Sequence, residues 1–294
     1  MLPNYFEIKL IPKAADSQAY NVQLNKSALD ILSLIFEFKL AGGWHISRFI
    51  RQQNQNKYAY LRLRRMWQAG LLESFKVGTG FVYYMLSKEG LEVLEDSSRY
   101  HPGQLSQYPK AKAFLSGNLF QHEAQVVELA SMEAHNNSKE LNITFKGELS
   151  SQGIDYRSGK TIEAFTPDYT VYYTFNNIAH CIYTEFERTQ KSKAAMVKKL
   201  RRYLYFLDYE QREDKIMRII FQTQAMEQSF WLNVFMDNYT LLQSLKIITT
   251  NLSVLKNHKQ FFEPVYVTEQ TLKLTKPNSL GVDISRRMRL FEWV

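Results

Sequence analysis

The sequence predicts an α+β protein in two parts, residues 1–100 and 101–294. Three observations carry this. The first hundred residues hold three helical periodicities, then a short hairpin, then a small helix. Strand-like runs at 141–148, 163–175 and 177–187 lead into a long basic helical segment and another apolar strand. Between the parts, RYHPGQLSQYPKAK (99–112) is polar, contains two prolines, and reads as a linker.

A length of 294 residues suits one large or two ordinary domains, and 45% hydrophobic residues suffice for a sizeable core. The formal charge is +8, which favours an anionic partner. The single cysteine, Cys181, excludes an internal disulfide framework and a Cys-rich zinc site, and its apolar setting, IAHCIY, marks it as a core residue. MLPNYFEIKLIPK is too charged for a signal peptide, and no run of about eighteen apolar residues exists. These features predict a cytoplasmic protein without a membrane span.

In the first part, Leu29, Ile31, Leu32, Leu34 and Ile35 recur at helical spacing within 26–39, ending before Ala41-Gly42-Gly43. A second helix is expected over 45–53 and a third over 57–69, stopping at Gly70. Two short strands, 71–75 and 80–84, flank the turn Val77-Gly78-Thr79, and SKEGLEVLE supplies a last helix. That order is the order of a winged helix-turn-helix. From Arg48 to Lys88 there are eight Lys and Arg against Glu73 alone, a net charge of +7. On the third helix Tyr58, Arg62 and Arg65 share one face, as a recognition helix presents phosphate and base-edge contacts. Lys76 falls at the wing, where backbone contacts are expected. Met66 and Trp67 read as core.

In the second part a long helix is expected over 116–134. It carries His122-Glu123, which lacks the second histidine of a zinc-protease motif. Glu123 is therefore expected to pack or to support a nearby site. The runs 163–175 and 177–187 meet at Asn176-Asn177 and read as an antiparallel hairpin. Asp168 lies 8 residues before Asn176 and Glu185 lies 8 after Asn177, so they fall at neighbouring levels of adjacent strands. Glu185 and Glu187 are two apart and project from one face. Three converging carboxylates repel one another and resist desolvation, a cost that a hard cation such as Mg²⁺ or Mn²⁺ between their oxygens relieves. Arg188–Tyr203 then holds seven Lys and Arg and no acid, a basic strip suited to a polyanionic strand. Lys199 and Tyr203 share one helical face, as Lys191 and Lys198 do at i, i+7. One lysine near a scissile phosphate can stabilise the charge that develops there. Tyr203 is a candidate nucleophile or positioning phenol, although a helical tyrosine most commonly packs against its sheet.

Pro167-Asp168 followed by Glu185-Phe186-Glu187 resembles the PD-(D/E)xK nuclease superfamily, with Glu187 standing where a lysine is usual and Lys199 (or Lys198) as its substitute. TPD at 166–168, EFERT at 185–189 and KLRRY at 199–203, behind a winged helix, resemble the replication-relaxation family, which includes the MobC-type plasmid relaxases. The resemblance covers roughly residues 26–225 and leaves 226–294 uninterpreted. It implies a restriction-endonuclease-like mixed α/β second domain and metal-dependent nicking of plasmid DNA at a transfer origin during conjugative mobilization. The catalytic set would be Asp168, Glu185, Glu187, Lys199 and Tyr203, with the three carboxylates on the metal. DNA would be held by Tyr58, Arg62, Arg65, Lys76, Lys191 and Lys198. Relaxosome accessory and coupling proteins would be partners. A tyrosine relaxase with a histidine-held metal is excluded, because none of the six histidines forms His-x-His. The alternative is a non-catalytic replication or transcription regulator with an inactive nuclease-like domain.

Overall fold

Asn25 starts the first helix, α1 (Lys26–Phe38), by accepting the backbone N–H of Ala28 at 3.1 Å. This computed structural model describes residues 8–11, 24–50, 56–78, 80–114, 117–137, 142–151, 165–175, 178–210, 215–239, 247–258 and 266–267. The protein is α+β with two sheets, and it divides into two units, Met1–His135 and Asn136–Val294. Among the described residues no helix is long and apolar enough to cross a membrane.

In the first unit β1 (Ile8–Ile11) and α1 are followed by β2 (Ala41–Gly42), α2 (Gly43–Phe49) and α3 (Asn56–Gln68). The hairpin β3 (Leu72–Val77) and β4 (Phe81–Leu86) and the helix α4 (Lys88–Asp96) complete the expected order. Ala59, Leu63 and Met66 form the buried stripe of α3. Gly70 ends that helix with φ 86°, a left-handed conformation that glycine adopts without a Cβ penalty. Gly90 is fixed by contact, since a Cβ there would lie 2.2 Å from the carbonyl oxygen of Leu71. The sheet order is β1-β3-β4-β2. The pairing of β1 with β3 adds an outer strand that the sequence reading passed over, because IKLI is only four residues long.

The polar stretch 99–112 is not a linker. It contains α5 (Pro102–Leu105) and leads into α6 (Ala111–Phe114). Pro102 sits at the start of α5, where its missing N–H costs nothing. Arg99 bonds Asp30 at 2.7 Å, Tyr100 donates to Glu37 at 2.8 Å, and the Tyr108 hydroxyl accepts Leu86 N–H at 2.9 Å. Both tyrosine rings pack on Phe36. The next helix, α7 (Asn118–Asn137), is tied to the same unit. Buried Glu123 pairs with Lys39 at 2.7 Å, and Glu128 accepts from Trp44, His45 and Arg48. The division of the chain therefore falls after His135 rather than near residue 100, and Glu123 is a packed, paired residue.

The second unit is built on β5 (Asn142–Gly147), α8 (Glu148–Ser151), β6 (Tyr169–Phe175), β7 (Ile178–Glu187), α9 (Lys193–Glu210), β8 (Lys215–Phe221) and α10 (Gln224–Ser229). A π-helical turn (Phe230–Phe235) and a 3₁₀ turn (Met236–Asn238) continue α10. Then come β9 (Ile247–Asn251), α11 (Leu252–His258) and β10 (Tyr266–Val267). The sheet order is β10-β9-β8-β7-β6-β5. Strands β5, β6 and β7 pair antiparallel, β7, β8 and β9 run parallel, and β10 is antiparallel to β9. Two expectations change here. The strand expected over 163–175 begins only at Tyr169, because Pro167 has no N–H for a ladder. The single helix expected over 226–246 is α10, a wider π turn and a tighter 3₁₀ turn, with 240–246 outside the described residues. The expected turn Asn176-Asn177 also lies outside them, but the strands on either side pair from Phe175↔Ile178 onward.

One face of this sheet carries the core. Cys181, Tyr183, Met217, Ile219, Phe221 and Ile247 pack against Met196, Leu200 and Tyr203 of α9 and against Phe230 and Trp231. Cys181 is buried, the core fate expected of it. On the opposite face Arg218 is 1% exposed, donating to Thr184 and Tyr169 with its guanidinium carbon 5.7 Å from the Tyr169 ring centre.

Candidate active site

The register Tyr169↔Thr184 of the β6–β7 hairpin, carried on by one residue, sets Asp168 opposite Glu185. The ladder itself stops at Tyr169, and the Asp168 side chain takes over: its Oδ2 accepts the backbone N–H of Phe186 at 2.6 Å. Asp168 is half-buried, and Pro167 before it is buried. A carboxylate in place of a carbonyl at the strand's entry explains why an aspartate stands in so strand-like a run.

Along β7 the odd residues face α9. Cys181 and Tyr183 lie in the core; one and two steps further, the same face carries Glu185 and Glu187, 4% and 2% exposed. Lys199 reaches both from α9. Its ammonium donates to Glu185 Oε2 and, at 2.7 Å, to Glu187 Oε1. A second ammonium, that of Lys191, meets Glu187 at 2.9 Å. Because α9 begins at Lys193, Lys191 precedes the helix and reaches back from the connection, so it shares no helical face with Lys198. Lys198 is exposed on α9.

Burial, then the charge of Asp168, pushes the Glu185 carboxyl up to about 8 against the pull of Lys199. Lys199 is driven the other way: burial alone would lower it, but Glu185 and Glu187 hold its ammonium above the ordinary lysine range. Glu185 and Glu187 are thus set against the ammoniums of Lys199 and Lys191, with Asp168 beside them.

The three carboxylates do not form a ready metal cage. Two close on Lys199 and the third on a backbone N–H. Among the described residues no group of three or more His, Cys, Asp and Glu side chains is disposed to hold a metal ion.

Tyr203 is placed one turn beyond Lys199, wholly buried, its ring 5.0 Å from Phe165 and 6.1 Å from Tyr183. Among the described residues its hydroxyl has no hydrogen-bond partner, and burial drives its phenol well above its usual range. The structure gives it the packing role.

Sequence reading missed the polar row beside this cluster. Glu187, Phe221 and Asn251 stand at one level of the three parallel strands. Glu227 of α10, 1% exposed, accepts from Thr249 at 2.7 Å and Asn251 at 2.6 Å, and Trp231 donates to Thr249 at 2.9 Å. The signal was the polar ending of IITTN, which masked a fully buried strand. A small pocket adjoins this end of the sheet, lined by Glu187, Gln190 and Lys191 together with Phe221, Phe230 and Val234.

In the first unit the structure brings Tyr58 and Arg62 together. Arg62 donates to the Tyr58 hydroxyl at 2.6 Å and to Asn25 Oδ1, the side chain that caps α1. Arg64, Arg65 and Tyr58 are exposed on α3, and Lys76 is exposed on β3. No family model, curated protein or solved structure matches the chain.

Proposed function

We propose that this chain binds DNA through its first unit and cleaves a phosphodiester bond at the Asp168–Glu185–Glu187–Lys199 cluster, as a cation-dependent nickase. One observation carries the reading: a lysine ammonium shared by two buried glutamates, with a third carboxylate opposite, at the end of a central strand. The order of three helices and a hairpin, with exposed Tyr58, Arg64 and Arg65 on the third helix, supports a winged helix-turn-helix. The hairpin β6–β7, followed by a basic helix and a parallel strand, supports the nuclease-like reading of the second unit.

As folded, Asp168, Glu185 and Glu187 are closed on Lys199, Lys191 and the Phe186 N–H rather than set as a metal cage, so the cation is what the resemblance to the nuclease superfamily implies. Asp168, Glu185 and Glu187 would hold it; when bound, Mg²⁺ or Mn²⁺ supplies a Lewis acid to the phosphate and a more acidic water. The protein's own residues position this chemistry. The buried glutamates fix the oxygens, Lys199 offers a positive donor to the charge developing on the phosphate, and exposed Lys198 and Arg201 of α9 suit the backbone of a nucleic-acid strand. The resemblance to replication-relaxation proteins directs the substrate to plasmid transfer-origin DNA.

The test is nicking of supercoiled plasmid carrying that origin, with Mg²⁺ or Mn²⁺. Open circles are expected from the native protein and none from Asp168→Ala or Glu185→Gln. Activity that survives those substitutions rules out this site. A second reading, a DNA-binding regulator with a catalytically silent second unit, is favoured by the closing of the glutamates on Lys199; binding with no nicking under any cation would establish it.

A further inference from the structure

We propose that the first unit takes DNA in unpaired form, stacking bases on the exposed rings of Tyr60 and Phe81 while neighbouring cations of α3 hold the phosphates. This inference rests on the DNA-binding half of the function proposed above and names the form of DNA bound.

Ala59, Leu63 and Met66 make the core contacts of α3, and its tyrosines are left outside. Lys57, Tyr60 and Arg64 recur at i, i+3 and i+7 and are all exposed, which sets a ring between two cations on one face of the helix. The Tyr60 ring lies against the backbone of α2, where a Cβ on Gly43 would come within 2.6 Å of it. Trp44, half-buried, folds its own ring over Gly42 in the same way and meets Phe81 with 5.5 Å between ring centres. The pair Gly42-Gly43 thus seats two rings at the start of α2, and Phe81 of β4 borders the second. Tyr60 is 40% exposed and Phe81 49%, apolar surface left in water beside positive charge. From Arg48 to Lys88 the net charge is +7, which selects a polyanion as the occupant. In a duplex the base faces are stacked on one another and closed to a side-chain ring; in an unpaired strand they are open. Rings interleaved with cations answer both halves of such a strand, its bases and its phosphates.

Fluorescence anisotropy on the full chain tests this, with a short labelled oligothymidylate strand and the same strand annealed to oligoadenylate as probes. The native chain is expected to hold the single strand more tightly than the duplex, on the order of tenfold. Tyr60→Ala and Phe81→Ala should each weaken single-strand binding by roughly 5- to 100-fold and leave duplex binding almost unchanged, since the loss is that of one stacked base. Tyr60→Trp, which keeps a stacking ring, should hold the strand near the native level. Duplex bound as tightly as the single strand by the native chain overturns the inference and leaves DNA binding standing, and that comparison needs no variant to fold. Equal losses on both probes from the alanine variants overturn it as well. Failure of the native chain to bind either probe overturns both the inference and the proposed function.

Discussion

Asp168 accepts the backbone N–H of Phe186 at 2.6 Å, so a side chain holds the hairpin together where the β6–β7 ladder ends. Hydrogen bonds to a charged acceptor contribute about 1.5–3 kcal/mol, less where one partner is half exposed. Asp168→Ala should therefore destabilise the protein by about 1–2 kcal/mol, while Asp168→Asn, which keeps an acceptor oxygen, should cost less than half of that. Urea unfolding of both variants checks this. Equal losses would mean that the charge of Asp168, and not its hydrogen bond, is what matters.

The raised pKa of Glu185 has a sign that can be measured. Its folded value, about 8, lies above the ordinary 4.5, so the folded state holds the proton more tightly. The associated stability is full below pH 4.5 and fades as the pH rises through about 8. Glu185→Gln cannot titrate. The difference in unfolding free energy between variant and native protein should change steadily between pH 5 and 8, in the variant's favour at the alkaline end. A difference that is flat with pH would show that Glu185 is ionised throughout.

The hairpin register was legible because strand side chains alternate with a period of two and Asn-Asn is a turn signal: these alone set Asp168 against Glu185, as the pairing Tyr169↔Thr184 requires. The shared face of Glu185 and Glu187 followed from the same alternation. The lysine's double engagement did not, since it depends on where α9 starts and how far that helix sits from the strand. Nor could β9 be seen: Thr249 and Asn251 are polar by type, and only the partners Glu227 and Trp231 explain their burial. Residues 99–112 misled for the converse reason. Their polar groups end on Asp30, Glu37 and Leu86, contacts distant in sequence that no local pattern announces.

His45 gives the first unit an acid-sensitive point. Its Nδ1 accepts the Gly42 N–H at 2.9 Å, which leaves the proton on Nε2, facing Glu128 at 2.8 Å. Burial lowers the His45 pKa below 6.5 despite the nearby Glu128. Because the folded value is depressed, stability is full above pH 6.5 and is lost as the pH falls towards the folded pKa. Burial would raise Glu128, but His45 and Arg48 outweigh it and hold that carboxyl below its usual range, so its own loss comes at more acid pH. His45→Gln keeps an acceptor and a donor without a titrating ring. The native melting temperature should drop between pH 7.5 and 5.5 while that of His45→Gln moves less; parallel curves would exclude His45 as the cause.

Arg62 and Arg65 share a face of α3 but should behave differently when removed. Arg62 is committed to Tyr58 and to Asn25, the N-cap of α1, so Arg62→Ala should loosen the seating of α3 as well as weaken binding. A loss of about 1 kcal/mol in stability is expected from such hydrogen bonds. Arg65 is exposed, and Arg65→Ala should leave stability within about 0.5 kcal/mol of native. If Arg65 contacts phosphate, its removal should weaken DNA binding similarly across sequences and lower the salt slope by about one. Binding isotherms at several salt concentrations, paired with thermal melts, separate the two residues. An unchanged salt slope for Arg65→Ala would remove the exposed face of α3 from the DNA interface.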